Sequence, residues 1–223
     1  MKTLILTAFH GRPEISQVYW YGIERLKKSF DVAVCAVISD NENKMLAKLN
    51  DCDYIVETEN TPHGKKMNTA VDAIINIDFD FVMQLGSDNL ISNAGMETNI
   101  KYMDKYKFFG HTNLIMVDSK TKNCKVKKYG NVFGAGRCIA KSILRKAMPL
   151  WDNDRERGMD VNSEHSIEGK AGLMPLPISD TEVIDIKGDE NIWKYSQLEG
   201  VDCKFDILDG KITTREKSYI ISL

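Results

Sequence analysis

The segment Phe79-Asp80-Phe81-Val82-Met83-Gln84-Leu85-Gly86-Ser87-Asp88-Asn89 carries the strongest chemical signal in the chain. An apolar run ends in a loop, and the loop opens with a carboxylate flanked by neutral polar groups. A hard divalent cation takes oxygen ligands and can bridge such a carboxylate to a diphosphate. The plainer reading is a turn closed by an Asx hydrogen bond at Asp88-Asn89. A second candidate stretch is Gly64-Lys65-Lys66-Met67-Asn68-Thr69-Ala70, where Lys65 falls near an expected helix start. Free amide N–H groups and the helix dipole favour an anion there. A third is the acidic stretch from Asp152 to Glu164, which holds Asp154, Glu156 and Asp160.

The elements that would position these residues alternate between strand and helix. Leu4 to Phe9 reads as a first strand. Pro13 suits a first helical position, and Ile15, Val18, Tyr19, Gly22, Ile23 and Leu26 follow on one helical face. Val32 to Ile38 is an almost unbroken run of Val, Ala and Ile, as in a strand buried on both faces of a parallel sheet. A short helix with Met45, Leu46 and Leu49 as its apolar face comes next, then a strand at Tyr54 to Val56. A helix with Met67, Ala70, Val71 and Ile74 leads to the strand from Phe79 to Leu85. Strands joined through helices imply right-handed crossovers and a parallel sheet. Ligands of such sheets gather beyond the carboxyl ends of the strands, which is where Asp88 is expected. In the second half, a helix near Gly95 to Tyr106 precedes a strand from Phe108 to Val117. A polar turn and the alternating Cys124 to Tyr129 follow, so a β-hairpin is expected. Gly134 to Arg137 reads as a flexible loop before a helix carrying Ile139, Ile143 and Leu144, which Pro149 ends. After Gly172 the periodicity fades.

Four stretches, in order, resemble the family-two-like glycosyltransferases with a GT-A-type fold, within the nucleotide-diphospho-sugar transferase superfamily. They are Thr7-Ala8-Phe9 with Arg12-Pro13-Glu14, the Gly64 to Ala70 stretch, Gln84 to Asn89, and Gly158-Met159-Asp160. The first three cover roughly the first 90 residues as an ordered set. The resemblance implies an α/β fold with a mostly parallel central sheet flanked by helices, in one domain over 1–223. Residues 1–92 would form the nucleotide-sugar half and 93–223 the acceptor half. It implies donor contacts from Phe9, Arg12, Ser39, Asp40, Lys65, Asn68, Ser87 and Asp88, with Mn²⁺ or Mg²⁺ held at Asp88. One departure stands out: Gly86 occupies the place where the family usually has its first aspartate, and Asn89 stands where a third acid often appears. The activity implied is sugar transfer from a nucleotide-diphosphate donor, taken as a UDP-sugar, to a glycan or other hydroxyl acceptor.

Such a transfer needs a base for the acceptor hydroxyl proton. Asp160 is the candidate, after Gly158 and beside the helix start suggested by Asn162 to His165. Glu164 is its main competitor, and an acidic surface is the bland alternative. Inversion at the anomeric carbon is the expected outcome. Trp151 and Trp193 are candidates for stacking on a sugar, with core packing as the default. The string Asp185-Ile186-Lys187-Gly188 with Asn191-Ile192-Trp193 is a candidate border of the acceptor site. Lys120, Lys122, Lys125, Lys127 and Lys128 form a basic cluster, read as a solvated hairpin edge or as a seat for an anionic acceptor. Two other functions compete. A nucleotidyltransferase would carry a Gly-rich loop after the first strand, whereas Ala8 to Arg12 holds a single Gly. A non-catalytic nucleotide-sugar or carbohydrate-binding protein would explain Gly86.

Composition narrows the field further. The 223 residues are 43% hydrophobic and carry a net charge of -2, enough for a core and without a global pull toward nucleic acid or anionic membrane. Cys35, Cys52, Cys124, Cys138 and Cys203 are odd in number and lack C-x-x-C spacing, against a zinc site or disulfide framework. No apolar stretch reaches transmembrane length, and Met1 to Leu6 is too short for a signal peptide. A cytoplasmic setting is the expectation.

Overall fold

The computed structural model describes residues 1–188 and 195–223. Trp193 and Asn191 lie outside the described residues. The first half alternates as its residue pattern dictates: β1 (Thr3–Phe9), α1 (Pro13–Ser29), β2 (Val32–Ile38), α2 (Asn41–Leu49), β3 (Tyr54–Glu57), α3 (His63–Ile74) and β4 (Phe81–Gln84). Next come β5 (Asn89–Ile91), α4 (Asn93–Met103), β6 (Phe108–His111), β7 (Asn113–Asp118) and β8 (Cys124–Lys128). The chain ends with β9 (Cys138–Ala140), α5 (Lys141–Ala147), α6 (Met159–Ala171), β10 (Leu176–Ile178), β11 (Val183–Lys187), β12 (Val201–Cys203) and α7 (Thr214–Ser222).

Two sheets result. The larger runs β10-β6-β9-β4-β1-β2-β3, with β9 antiparallel to both its neighbours and the other pairs parallel. The smaller runs β12-β8-β7-β11-β5 and is mostly antiparallel. β1 and β2 are buried along most of their length, as their unbroken apolar runs require. There are two buried clusters: the larger holds Leu6, Trp20, Val34 and Met83 and also takes in Leu114 and Met116 of the smaller sheet, and the second holds Val18, Ile115, Ile184 and Ile220. Among the described residues no helix is long and apolar enough to cross a membrane.

The expected hairpin is present as β7 and β8, its turn tied by Asp118 accepting from the Lys120 N–H at 3.0 Å and from the Thr121 hydroxyl at 2.7 Å. It is not a sheet edge, because β12 pairs outside β8. The single strand expected over Phe108 to Val117 is two strands in different sheets, with the chain changing sheet at Thr112. Ile139 belongs to β9 rather than to a helix. The apolar face expected on α2 is largely outside: Met45 is 65% and Leu49 76% exposed. Strands β6, β9 and β10, from the second half, extend the larger sheet, so residues 1–92 do not form a sheet of their own.

Candidate functional site

The chain leaves the larger sheet at Gln84 and enters the smaller one at Asn89, so Gly86, Ser87 and Asp88 lie at the seam between the sheets. A cavity of about 700 Å³ opens there. Its wall combines the carboxyl ends of β1 and β4, the β1–α1 loop, the start of α3, the Gly134-Ala135 loop, the start of α6 and the end of β11. This is the strand-end position at which open α/β sheets bind ligands, and the size suits a nucleotide-sized molecule.

Four alternating charges line one part of this cavity. Arg12 Nη1 donates to Asp88 Oδ2 at 3.0 Å, and Nη2 lies 3.3 Å from Ser87 Oγ. Arg12 holds a left-handed backbone, φ 53 and ψ 48, at the cap of α1. That conformation costs a non-glycine residue on the order of 1 kcal/mol, and such strain clusters at ligand sites. Asp185 lies opposite Asn89 in the β5–β11 pairing, and Lys187 Nζ sits 2.6 Å from its Oδ2. The period of two along β11 explains the arrangement: Ile184 and Ile186 pack into the core, which puts Asp185 and Lys187 on the cavity face. Burial would raise the Asp88 carboxyl, but the Arg12 and Lys187 charges outweigh it and hold it below the usual range. Asp185 moves the other way, pushed up to about 6 by burial and by the Asp88 charge, with Lys187 opposing. It is 6% exposed, and its Oδ1 has no hydrogen-bond partner among the described residues.

Gly86 has a steric reason here. Its N–H donates to Asn89 Oδ1 at 3.0 Å, and a Cβ at this position would stand 2.5 Å from that oxygen and 2.7 Å from Asp88 Oδ1. A side chain at 86 would push the Asn89 and Asp88 side chains out of their present positions. A second carboxylate reaches the cavity from β11 instead. Among the described residues no three acidic, His or Cys side chains cluster as a complete metal shell. Asp88 and Asp185, one with an unpartnered oxygen, still fit a cation of the Mg²⁺ or Mn²⁺ type. Such ions commonly use one or two carboxylates and take their other ligands from water and substrate phosphate.

Lys66 anchors the side of the cavity formed by the β1, β2 and β3 ends. It is 1% exposed, and its Nζ donates to Phe9 O at 2.8 Å, Ser39 Oγ at 2.9 Å and Asn60 Oδ1 at 3.2 Å. Burial lowers its ammonium to about 8, with Asp40 opposing. Ser39 Oγ also lies 3.1 Å from His10 Nδ1. Asp40 caps α2 through the Asn43 N–H at 2.8 Å and accepts from the Gly11 N–H at 3.1 Å. Burial works against its ionisation, yet the bonds from Asn43 and Gly11 and the His10 charge hold its carboxyl below the usual range. Ser39 and Asp40 thus stand behind His10 rather than in the cavity wall.

Three expected donor contacts are placed differently. The Phe9 ring is 1% exposed and stacks on Trp20 at 5.4 Å between centroids, so Phe9 presents its backbone to the cavity. Lys65 is exposed and outside the cavity wall, whereas Lys66 is in it. Helix phase explains the exchange, because Lys66 shares a face with the buried Ala70 and Ile74. Asn68 is buried structural glue: its Oδ1 accepts from the Leu150 and Trp151 N–H groups, each at 3.1 Å, and its Nδ2 donates to Trp151 O at 2.7 Å.

Asp160 is exposed, lines the cavity, and sits in the first turn of α6 after Gly158, whose φ is 67. A Cβ on Gly134 would stand 2.1 Å from Asp160 Oδ1, so glycine lets that loop close against the carboxylate. The buried Arg137 fixes the start of α6 from below, donating to Asp160 O at 2.7 Å and Ser163 Oγ at 2.8 Å. Glu164 faces Arg137 at 3.6 Å and is not in the cavity wall. Trp151 is buried and its ring N–H donates to Met159 O at 3.1 Å. In the basic cluster, Lys125 and Lys127 lie over the Tyr195 and Tyr129 rings, at 4.7 and 4.8 Å.

No family model and no curated protein matches the sequence. Solved structures match the fold. The crystal structure of S. aureus TarS 1-349 in complex with UDP-GlcNAc matches with a TM-score of 0.58 at 12% identity, over 99% of this chain and 70% of that one. The crystal structure of 4-diphosphocytidyl-2C-methyl-D-erythritol synthase matches with a TM-score of 0.55 at 12% identity, over 88% of this chain and 92% of that one. These likenesses are of fold: the chain is mixed α/β with a mostly parallel central sheet, GT-A-like.

Proposed function

We propose that this GT-A-like chain is a glycosyltransferase that takes a sugar from a nucleoside-diphosphate donor, with UDP as the nucleotide, and passes it to an acceptor hydroxyl with inversion. The observation that carries the reading is the joint placement of the Arg12–Asp88–Asp185–Lys187 charges and of Asp160 on the wall of one cavity. Charge stabilisation for a leaving diphosphate and a base for a hydroxyl proton are the two things that glycosyl transfer requires.

In this reading, Arg12 and Lys187 face the donor diphosphate and oppose the charge that grows as the nucleoside diphosphate leaves. Asp88 and Asp185 would hold Mg²⁺ or Mn²⁺, which supplies Lewis-acid neutralisation of the same oxygens when bound. The nucleoside lies toward His10, Asn60 and Lys66, with Ser39 and Asp40 supporting that wall. Asp160 accepts the acceptor hydroxyl proton. The Gly134-Ala135 loop sits over the carboxylate and limits water at the reacting centre.

The test is calorimetric titration with UDP and UDP-sugars, with and without Mn²⁺. Binding strengthened by Mn²⁺ in the wild type, with that increment lost in Asp88→Ala, is expected. Tight binding untouched by a chelator and by Asp88→Ala would remove the cation from the site. The likeness to a nucleotidyltransferase fold keeps a second reading in play. Release of pyrophosphate from a nucleoside triphosphate and a sugar phosphate, with no transfer from UDP-sugars, would establish it. Binding of UDP-sugars with neither transfer nor donor hydrolysis in the presence of Mn²⁺ would mark a binding protein.

A further inference from the structure

Lys66 is a buried cation whose hydrogen-bond acceptors are all neutral. Its ammonium joins three chain segments that are far apart in sequence: the end of β1 through Phe9 O, the β2–α2 junction through Ser39 Oγ, and the β3–α3 loop through Asn60 Oδ1. A bond between Ser39 and His10 extends the tie to the β1–α1 loop. The charged and titratable groups around it are Asp40 at the end of β2, His10 in the β1–α1 loop, and His63 on its own helix. None of them makes a direct ion pair with Nζ. His63 is lowered by burial first and then by the Lys66 charge.

We propose that Lys66 is a positioning residue whose protonated form assembles the nucleoside-facing wall of the cavity, so that nucleotide affinity follows the charge state of this one lysine. The proposal rests on the nucleotide-binding reading above and deepens it. Three N–H donors are needed to hold three acceptors at once, and a neutral amine has only two. Loss of the proton removes one of the three N–H donors and loosens the longest bond, to Asn60, which then keeps the Ser39 hydroxyl at 3.3 Å. The ordinary lysine value of about 10.4 keeps a surface ammonium charged through the neutral range. Burial brings Lys66 to about 8, so its switch falls within reach of ordinary buffers.

If only the ammonium form binds, apparent affinity falls with its population, about tenfold at one pH unit above the midpoint. The experiment is titration of UDP, and separately of uridine, into the whole protein from about pH 7 to about pH 9. The fold is checked at each end by circular dichroism. Uridine carries no phosphate, so a loss common to both probes reports the nucleoside wall. Wild-type affinity for both is expected to fall about tenfold across this range, while Lys66→Met binds weakly and without that slope. Ser39→Ala and Asn60→Ala each remove an acceptor from the ammonium, and should move the midpoint to lower pH. That shift is a signature a purely structural lysine would not produce, and it remains readable should Lys66→Met fail to fold. A flat wild-type profile, or a midpoint unmoved in Ser39→Ala and Asn60→Ala, overturns the proposal while leaving nucleotide binding intact. No binding of either probe at any pH removes the functional reading and this inference together.

Discussion

Asp160 gains access to the cavity through two neighbours that do no chemistry themselves. Gly134 leaves the room for its carboxylate, and Arg137 holds its backbone carbonyl at 2.7 Å from within the protein. The side chain is exposed, so replacing it removes a proton acceptor and disturbs no buried network. Asp160→Asn should therefore lower kcat for sugar transfer by roughly 10²- to 10⁴-fold, the usual size of a general-base contribution. Donor affinity should change little. Single-turnover rates and donor titration on the same preparation separate the two quantities. A variant that turns over normally would move the base to another cavity residue, and Glu164, turned toward Arg137, would be a poor replacement.

At the scale of elements, the smaller sheet depends on the C-terminal helix. Thr213 and Glu216 form a reciprocal cap at the start of α7, with both the Thr213 hydroxyl and N–H bonded to Glu216. The Glu216 carboxylate is fully buried and also takes Arg25 Nε at 3.1 Å. Arg25 in turn donates to Asn93 Oδ1 at 2.6 Å and Ile91 O at 2.8 Å. One ion pair thus links α1, α7 and the β5–α4 junction just downstream of Asp88. Glu216→Ala leaves the Arg25 guanidinium largely buried without its carboxylate and should cost about 3–5 kcal/mol in urea unfolding. Thr213→Ala removes a cap contact and should cost about 1 kcal/mol. Equal, small losses in the two variants would contradict the clamp. The cap was legible, since Thr213-x-x-Glu216 is a known helix-start pattern, but too few apolar residues follow it for a periodic face to stand out. The first half was readable because β1, β2, α1 and α3 carry long apolar runs or full helical faces. The break at Thr112 was not, because an apolar strand looks the same whichever sheet it joins. The exposure of Met45 and Leu49 was equally hidden, as apolar spacing shows a helical face and not what covers it. Asp88 was visible at its strand end; the Asp185-Ile186-Lys187-Gly188 string also stood out, as a border of the acceptor site, but only the β5–β11 pairing brings Asp185 and Lys187 beside Asp88. Lys66 could have been found by its spacing of four from Ala70 and eight from Ile74, on the same helical face.

Over the whole molecule, burial of ionisable groups sets how the fold responds to alkali. The five cysteines are free thiols, and burial raises every one of them. Cys35 and Cys124 are each pushed up to about 12. In the unfolded chain a thiol ionises near about 8.5. Between that pH and the folded values, the native state binds more protons than the unfolded state, so stability falls as pH rises. Each such thiol contributes about 1.4 kcal/mol per pH unit once the unfolded form is ionised. Lys66 works in the opposite direction. Lowered to about 8 in the fold against about 10.4 in the unfolded chain, it leaves the unfolded state with the extra proton, so its contribution to stability rises with pH across that interval. Lys122, which burial also lowers, acts in the same sense as Lys66, and the five thiols outweigh the two lysines. Urea unfolding under reducing conditions should show stability near constant up to about pH 8 and a steep loss above about pH 9. Cys35→Ala lowers stability at neutral pH through the cavity it leaves, yet should make the alkaline slope shallower by roughly one proton. An unchanged slope in that variant, or wild-type stability that climbs through about pH 9 to 10, would show that the buried thiols do not govern the alkaline limit.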